Sequence, residues 1–451
     1  MKRRPNYDLY YKLCLALAIA AWLLSCCAPA TPPSVIPTPT NIDSPPYAEI
    51  YRAAAAHITA GEYSAAETLY HEALQEAPHD PQPALQLAQL YQMWNRPAAG
   101  LAALDEAARR KAPVEEITPL RLELLALNGN WADLITTAEA HLITVPNDSQ
   151  ALKWLTRAYL HTYQCATAST IAQRWYDAAP DDLDARLTLG ALSGDISSLC
   201  EADARFCILP PTGDDVQLGI TLIRDGNWPL AACVLTRAAA TDDAPAAAHA
   251  WLGEALARLD RPQEAQPHFL KATTLAPRSP LAWLLLGLFY LGQQQTDNAA
   301  NALLQAYNLD PTNPLTCLSL AEAKAQAGHY DEVDAWIGAA LDAAPTDADV
   351  AKTAARFYLE RHLIQNEYPM RPIQSAIQLA PEDGEATMLL GWFKLMTGDT
   401  TGAREALDKA VALAPELGQA HYWRGLALQA TGETQAAQAA FTRAADLGYA
   451  P

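Results

Sequence analysis

Residues 280–313 read PLAWLLLGLFYLGQQQTDNAANALLQAYNLDPTN, and the punctuation of these 34 residues decides the fold. Ser279 suits an N-cap, and Pro280 takes the first helical position, where its missing N–H costs nothing. Trp283, Leu286, Gly287 and Tyr290 then fall at helical spacing. Gln293 to Gln295 form a polar turn. A second helix brings Ala299, Leu303 and Ala306 onto one face before Asp310-Pro311 ends it. Two antiparallel helices of this length cannot bury their apolar faces alone, so the unit requires neighbours of its own kind.

Those neighbours are in the chain. With residues 280–313 as the frame, residues 47–451 divide into twelve units: 47–80, 81–114, 115–148, 149–182, 183–211, 212–245, 246–279, 280–313, 314–347, 348–383, 384–417 and 418–451. Pro78, Pro146, Pro180, Pro277, Pro311, Pro345, Pro381 and Pro415 end the second helices. Gly61, Gly129, Gly226, Gly328, Gly398 and Gly432 recur where first helices stop. The order Trp, Leu-Gly, Tyr, Ala, large apolar, Ala, Pro resembles the tetratricopeptide repeat. The resemblance implies an all-α, right-handed solenoid of about twelve helix-turn-helix repeats whose work is to bind other chains. Two units depart from the pattern. Residues 183–211 shorten the second helix and end in Pro210-Pro211, which reads as a degenerate joint between arms at 47–182 and 212–451. Residues 361–372 lengthen a turn and bring Pro369 and Pro372 to the start of a second helix, as an accommodated insertion does.

Ahead of the repeats stands an address. Lys2, Arg3, Arg4 and Lys12 precede a twelve-residue apolar run, Leu13 to Leu24, which is shorter than the about 20 residues that span a bilayer. Leu23-Leu24-Ser25-Cys26 follows and resembles the lipobox of bacterial lipoproteins. That resemblance implies a signal peptide at 1–25, lipidation at Cys26 and an extracytoplasmic protein anchored to a bacterial membrane. Residues 28–46 contain seven prolines and read as a semi-rigid tether. The net charge of −20 excludes nucleic acid as a partner, because that requires a basic surface.

No catalytic or phosphate-binding motif occurs, and the ten histidines are scattered among the units. The sequence therefore points to neither an enzyme nor a cofactor. An exported protein permits disulfides, and Cys165, Cys200, Cys207 and Cys233 surround the degenerate unit. Equivalent helical positions suggest Cys165–Cys200 and Cys207–Cys233, although spacing cannot fix connectivity. Cys317 falls at a core position.

In the tetratricopeptide family the first helices line a concave groove. Carried over to this chain, the groove contains Leu281, Leu284, Leu288, Leu291, Leu315, Leu318, Met388, Trp392, Leu395 and Tyr422. An apolar stripe of this extent is either buried by the superhelix on itself or receives an apolar peptide or helix, and the partner is the favoured expectation. Two basic pairs interrupt the stripe, Lys153 with Arg157 and Lys352 with Arg356. Their spacing resembles part of the family's carboxylate clamp, but the rest is missing, and pairing with Glu123, Glu322 or Glu385 is the expected use. The function expected is a lipid-anchored protein-binding scaffold at the cell envelope. The alternatives are a glycan- or peptidoglycan-associated adaptor and a surface protein that self-associates through an uncapped C-terminal end.

Overall fold

The computed structural model describes residues 48–195, 199, 203, 215–365 and 368–449. The signal and lipidation calls at 1–26, the tether, Cys200 and Cys207 lie outside them. Among the described residues there are 23 helices and no strand, in helix-turn-helix pairs with the spacing that the sequence predicts. The helices of the first seven units are α1 Ala48–Thr59, α2 Tyr63–Glu76, α3 Gln82–Met93, α4 Pro97–Arg109, α5 Val114–Leu127, α6 Trp131–Thr144, α7 Ser149–His161, α8 Cys165–Ala178, α9 Leu183–Ser193, α10 Asp215–Arg224, α11 Trp228–Ala239, α12 Ala246–Arg258 and α13 Pro262–Leu275. The remaining pairs are α14 Pro280–Gly292 with α15 Thr296–Leu309, α16 Pro314–Gln326 with α17 Tyr330–Ala343, α18 Ala348–Glu360 with α19 Met370–Leu379, α20 Gly384–Met396 with α21 Thr400–Leu413, and α22 Gly418–Ala430 with α23 Thr434–Asp446.

Several first helices begin with the same local device, a side-chain N-cap. Ser279 Oγ accepts the N–H of Ala282 at 3.3 Å, and Asp148, Asp182, Asn313, Asp347 and Asp383 cap their helices through their side-chain oxygens. The two helices of a pair then approach closely because one contributes Gly and the other a large residue. A Cβ at Gly391 would stand 2.5 Å from Leu407 Cγ, and one at Gly287 would stand 2.6 Å from Leu303 Cγ. The missing methyl group is the space that those leucines occupy. Cys317 is free and fully buried, as its core position requires. At the insertion, α19 opens on Met370 with Pro369 at its N-cap, so both prolines fall where a helix start tolerates them.

The described residues divide into two compact units, one within 67–309 and one that joins 48–66 with 310–449. The described residues of the expected joint, 183–195, 199 and 203, fall in the first unit. In the second unit, Ser64 donates from its backbone N–H and its hydroxyl to Asp446 Oδ1, at 3.3 and 3.0 Å, and Asp446 is buried. The first repeat thus meets the end of the last helix, and Tyr449 packs on Tyr422 with ring centroids 5.5 Å apart. The end of the last repeat, expected to be uncapped, meets the first repeat at this point. The core of this unit gathers Leu359, Ile373, Met388, Leu389, Trp392, Phe393 and Leu407.

Candidate functional site

The apolar stripe is spent on the protein itself. Leu284, Leu288, Leu291, Leu315, Leu318, Met388 and Trp392 are all buried, and Leu281, Leu395 and Tyr422 are partly so. Trp392 stacks on Trp423 at 4.3 Å, inside the hydrophobic core. For the seven buried side chains the expectation of a partner is corrected in favour of the other reading of the stripe, burial by the chain itself, whereas Leu281, Leu395 and Tyr422 keep partial exposure. A helix that is apolar all round has every face covered.

The basic pairs are also engaged. Lys352 Nζ lies 2.7 Å from Asp383, 2.9 Å from Asp349 and 3.1 Å from Glu385. Burial works against the charge on Lys352, but those carboxylates more than offset it and its pKa is raised. Arg356 bonds Glu385, as expected, and Gln419 at 3.2 Å. Glu322 pairs with Arg361, and Glu123 accepts from Gln92. No cation of this group is left to clamp a carboxylate by itself.

The unit of residues 67–309 holds a cavity of about 880 Å³. Four first helices, α5, α7, α10 and α12, bring their C-terminal ends to it, and the turns that follow complete the wall. Gly129 and Gly226 take φ of +71° and +77° in those turns, a left-handed conformation that Gly adopts without a Cβ clash. Trp131 and Trp228 come directly after, at the starts of α6 and α11. Trp154 and Arg157 project from α7, Asp184 from α9, and Arg258 from the last residue of α12.

The lining is ordered by ring contacts and ion pairs. Trp131 stacks on His161 with centroids 3.8 Å apart and planes 11° from parallel. Burial, aided by the nearby Arg157, lowers the His161 pKa to about 4, so the ring is neutral at pH 7. Arg157 lies 5.0 Å over the Trp154 ring and 3.5 Å from Asp184, which also receives Lys153 at 2.7 Å. Arg258 lies 5.0 Å over Trp228, with its Nε 3.1 Å from Glu254. Glu254 is buried, which raises its pKa although Arg258 opposes the shift. The sequence-predicted pair Lys153 and Arg157 is therefore at the cavity or beside it, whereas Lys352 and Arg356 belong to the other unit.

A staple holds α8 and α11 together beside this wall. Cys165 is joined to Cys233, with Cα atoms 5.6 Å apart across 68 residues of sequence. The pairings Cys165–Cys200 and Cys207–Cys233 are thereby corrected. The degenerate unit contributes α9 but leaves α11 free to pack against α7 as well as α9. Tyr163 bonds Thr236 across the same seam, and Arg261 donates to Thr162 O at 3.1 Å. Among the described residues no group of three or more His, Cys, Asp or Glu is placed to hold a metal ion.

The tryptophans of the cavity were not among the candidates drawn from the sequence. A signal for two of them was present: Gly-Asn-Trp stands at 129–131 and again at 226–228, in the same register of two units.

Family models described as tetratricopeptide repeat match residues 57–120, 216–280, 252–314, 290–360, 346–417 and 397–450, well over half of the chain. The chain is a tetratricopeptide-repeat protein. Domains of this family generally mediate protein–protein interaction. Solved structures similar to this tetratricopeptide-repeat protein include yeast Tom70, 13% identical over 88% of this chain and 91% of that one, with a TM-score of 0.41. Pseudomonas aeruginosa pilF is 20% identical over 45% and 90%, with a TM-score of 0.37. Another is TTC0263, a thermophilic tetratricopeptide-repeat protein of Thermus thermophilus, 18% identical over 41% and 97%, with a TM-score of 0.34. These likenesses carry no argument about function. No curated protein matches the chain.

Proposed function

We propose that this tetratricopeptide-repeat protein is a non-enzymatic scaffold that holds a segment of a partner protein in the cavity of residues 67–309. The observation that supports this reading is the cavity itself, about 880 Å³ with three tryptophans in its wall. Aromatic rings supply large contact area at little conformational cost, which is why such rings anchor protein interfaces. Seven of the ten residues of the apolar stripe elsewhere are buried.

A photo-crosslinking residue at Thr188, which lines the cavity, tests the reading against one at Thr136, which is exposed on α6. Adducts to one partner from Thr188, absent from Thr136 and lost in Trp154→Ala/Trp228→Ala, support it. Equal labelling from both positions refutes it.

The scaffold acts, on this reading, outside the cytoplasm. The basic run at Lys2 to Arg4, the apolar run to Leu24 and Cys26 support a lipid anchor, and residues 28–46 support a tether to the repeats. Membrane retention that survives Cys26→Ala unchanged would remove the anchor from the proposal.

A further inference from the structure

We infer that the Cys165–Cys233 bond is a redox latch on the cavity of residues 67–309. Oxidised, it holds the wall in place for a partner segment; reduced, it lets the wall part. The inference rests on the scaffold reading above and adds the regulation of that site.

The bond lies beside the wall on both of its sides. Leu160 and His161 end α7 in the wall, and Cys165 follows four residues after His161 as the first residue of α8. Trp228, Pro229 and Leu230 bring the start of α11 into the wall, and Cys233 stands about one helical turn further on. The bond therefore ties two segments that line the same space. Those segments belong to the units at 149–182 and 212–245, which are not successive in the chain. A solenoid repeat is held by its nearest neighbours, so stacking along the chain does not by itself fix α11 against α7 and α8. Noncovalent contacts also cross this seam. α11 packs on α7, Tyr163 bonds Thr236, and Arg261 donates to Thr162 O while lying 4.9 Å over the Tyr163 ring. Contacts of that kind open and re-form, and the covalent bond is what forbids separation.

The two sulfurs are placed unequally, in a way that suits reduction. Cys233 is buried in the middle of α11, whereas Cys165 keeps partial exposure. Gln164, the N-cap of α8, makes no side-chain cap, in contrast to Asp148 and Asp182 at the starts of α7 and α9. The positive end of the α8 dipole is thus left to the sulfur of its first residue, where it stabilises a thiolate. A dithiol reductant acts on such a bond by exchange. Its first thiolate attacks Cys165 Sγ, the S–S bond breaks, and Cys233 Sγ leaves with the electron pair and takes up a proton. Its second thiolate attacks the reductant's own sulfur in the mixed disulfide, and Cys165 leaves as a thiolate at the start of α8. The reductant ends as a disulfide, and its two electrons reside on Cys165 and Cys233.

The test reads the wall and the partner separately, on the full-length protein in detergent. Gadolinium labels on ketone-bearing residues introduced at Asn128 and Gln263, both exposed, report the distance across the cavity by electron–electron resonance. The oxidised protein is expected to give one narrow distance distribution, and a dithiol to broaden and lengthen it. Cys165→Ala/Cys233→Ala should show the broad distribution with or without reductant, with circular dichroism unchanged. Adducts from the crosslinker at Thr188 should fall about fivefold or more on reduction, the scale of a typical coupling between two sites. A distribution that reductant leaves unchanged overturns the latch, as does an adduct yield that holds while the distribution broadens. Loss of helix signal throughout on reduction also overturns it, because the bond is then a staple of the whole fold. In these three cases the scaffold reading stands. Absence of Thr188 adducts from the oxidised protein removes the scaffold reading, and the distance distributions still decide whether the bond governs the wall.

Discussion

His249 and His268 meet on α12 and α13 with their Nδ1 atoms 2.9 Å apart, so one ring donates and the other accepts. A second proton on the accepting ring would land on its Nδ1 and set two donors against each other. Burial lowers the His249 pKa to about 4, with the charge of Lys271 and the neighbouring His268 ring adding to it, and burial lowers that of His268 as well. Because the folded values lie below the unfolded value of about 6.5, the unfolded chain binds more protons as the solution is acidified. Stability is therefore full above about pH 6.5 and declines toward pH 4. Calorimetry between pH 7 and pH 5 should show a falling Tm, and His249→Phe should flatten that slope. At the same scale, Gly391→Ala puts a methyl group 2.5 Å from Leu407 Cγ. Overpacking of this kind costs about 1–3 kcal/mol, more than the gain of about 1 kcal/mol in helix propensity. A urea midpoint that did not fall would show that Leu407 can move aside.

Among elements, the seam between α8 and α11 bears most of the burden of the irregular repeat. The Cys165–Cys233 bond closes 68 residues of chain, and loop closure on that scale contributes up to about 4 kcal/mol. Cys165→Ala/Cys233→Ala should lower the guanidinium midpoint measured without reductant, and reductant should then shift the variant's midpoint far less than the parent's. The pairing was not legible in the sequence because it depends on which repeat is passed over. Residues 183–211 look like a bent unit in the chain, yet α11 reaches α7 directly. By contrast, the helix pairs were legible to within a residue or two, because Pro277, Pro311, Gly287 and their equivalents recur at fixed intervals. The cavity was missed for a physical reason. Trp131 and Trp228 enter it from the turn side of second helices, whereas the reading of the groove considered only the inner faces of first helices. The buried fate of Leu284 and Met388 was equally hidden, since an apolar face has the same sequence whether a partner or the chain covers it.

For the whole molecule, the two compact units and the contact between chain ends set the stability hierarchy. Asp446 accepts both donors of Ser64, and hydrogen bonds to a charged group contribute about 1.5–3 kcal/mol. Asp446→Ala should raise hydrogen exchange in α1 and the start of α2 while leaving residues 67–309 unchanged. Exchange that rose equally throughout would mean the chain unfolds as one body. The same variant, if it also shows a concentration-dependent mass, would make the covered end a site of self-association.

The Ser64–Asp446 contact also governs how the protein would respond to being pulled. A string of repeats held at its two ends ordinarily takes tension in series, one helix pair after another. Here the first and last repeats grip each other across 382 residues of sequence. Tension applied at residues 48 and 449 therefore has to break that grip before the first repeat can part from the last.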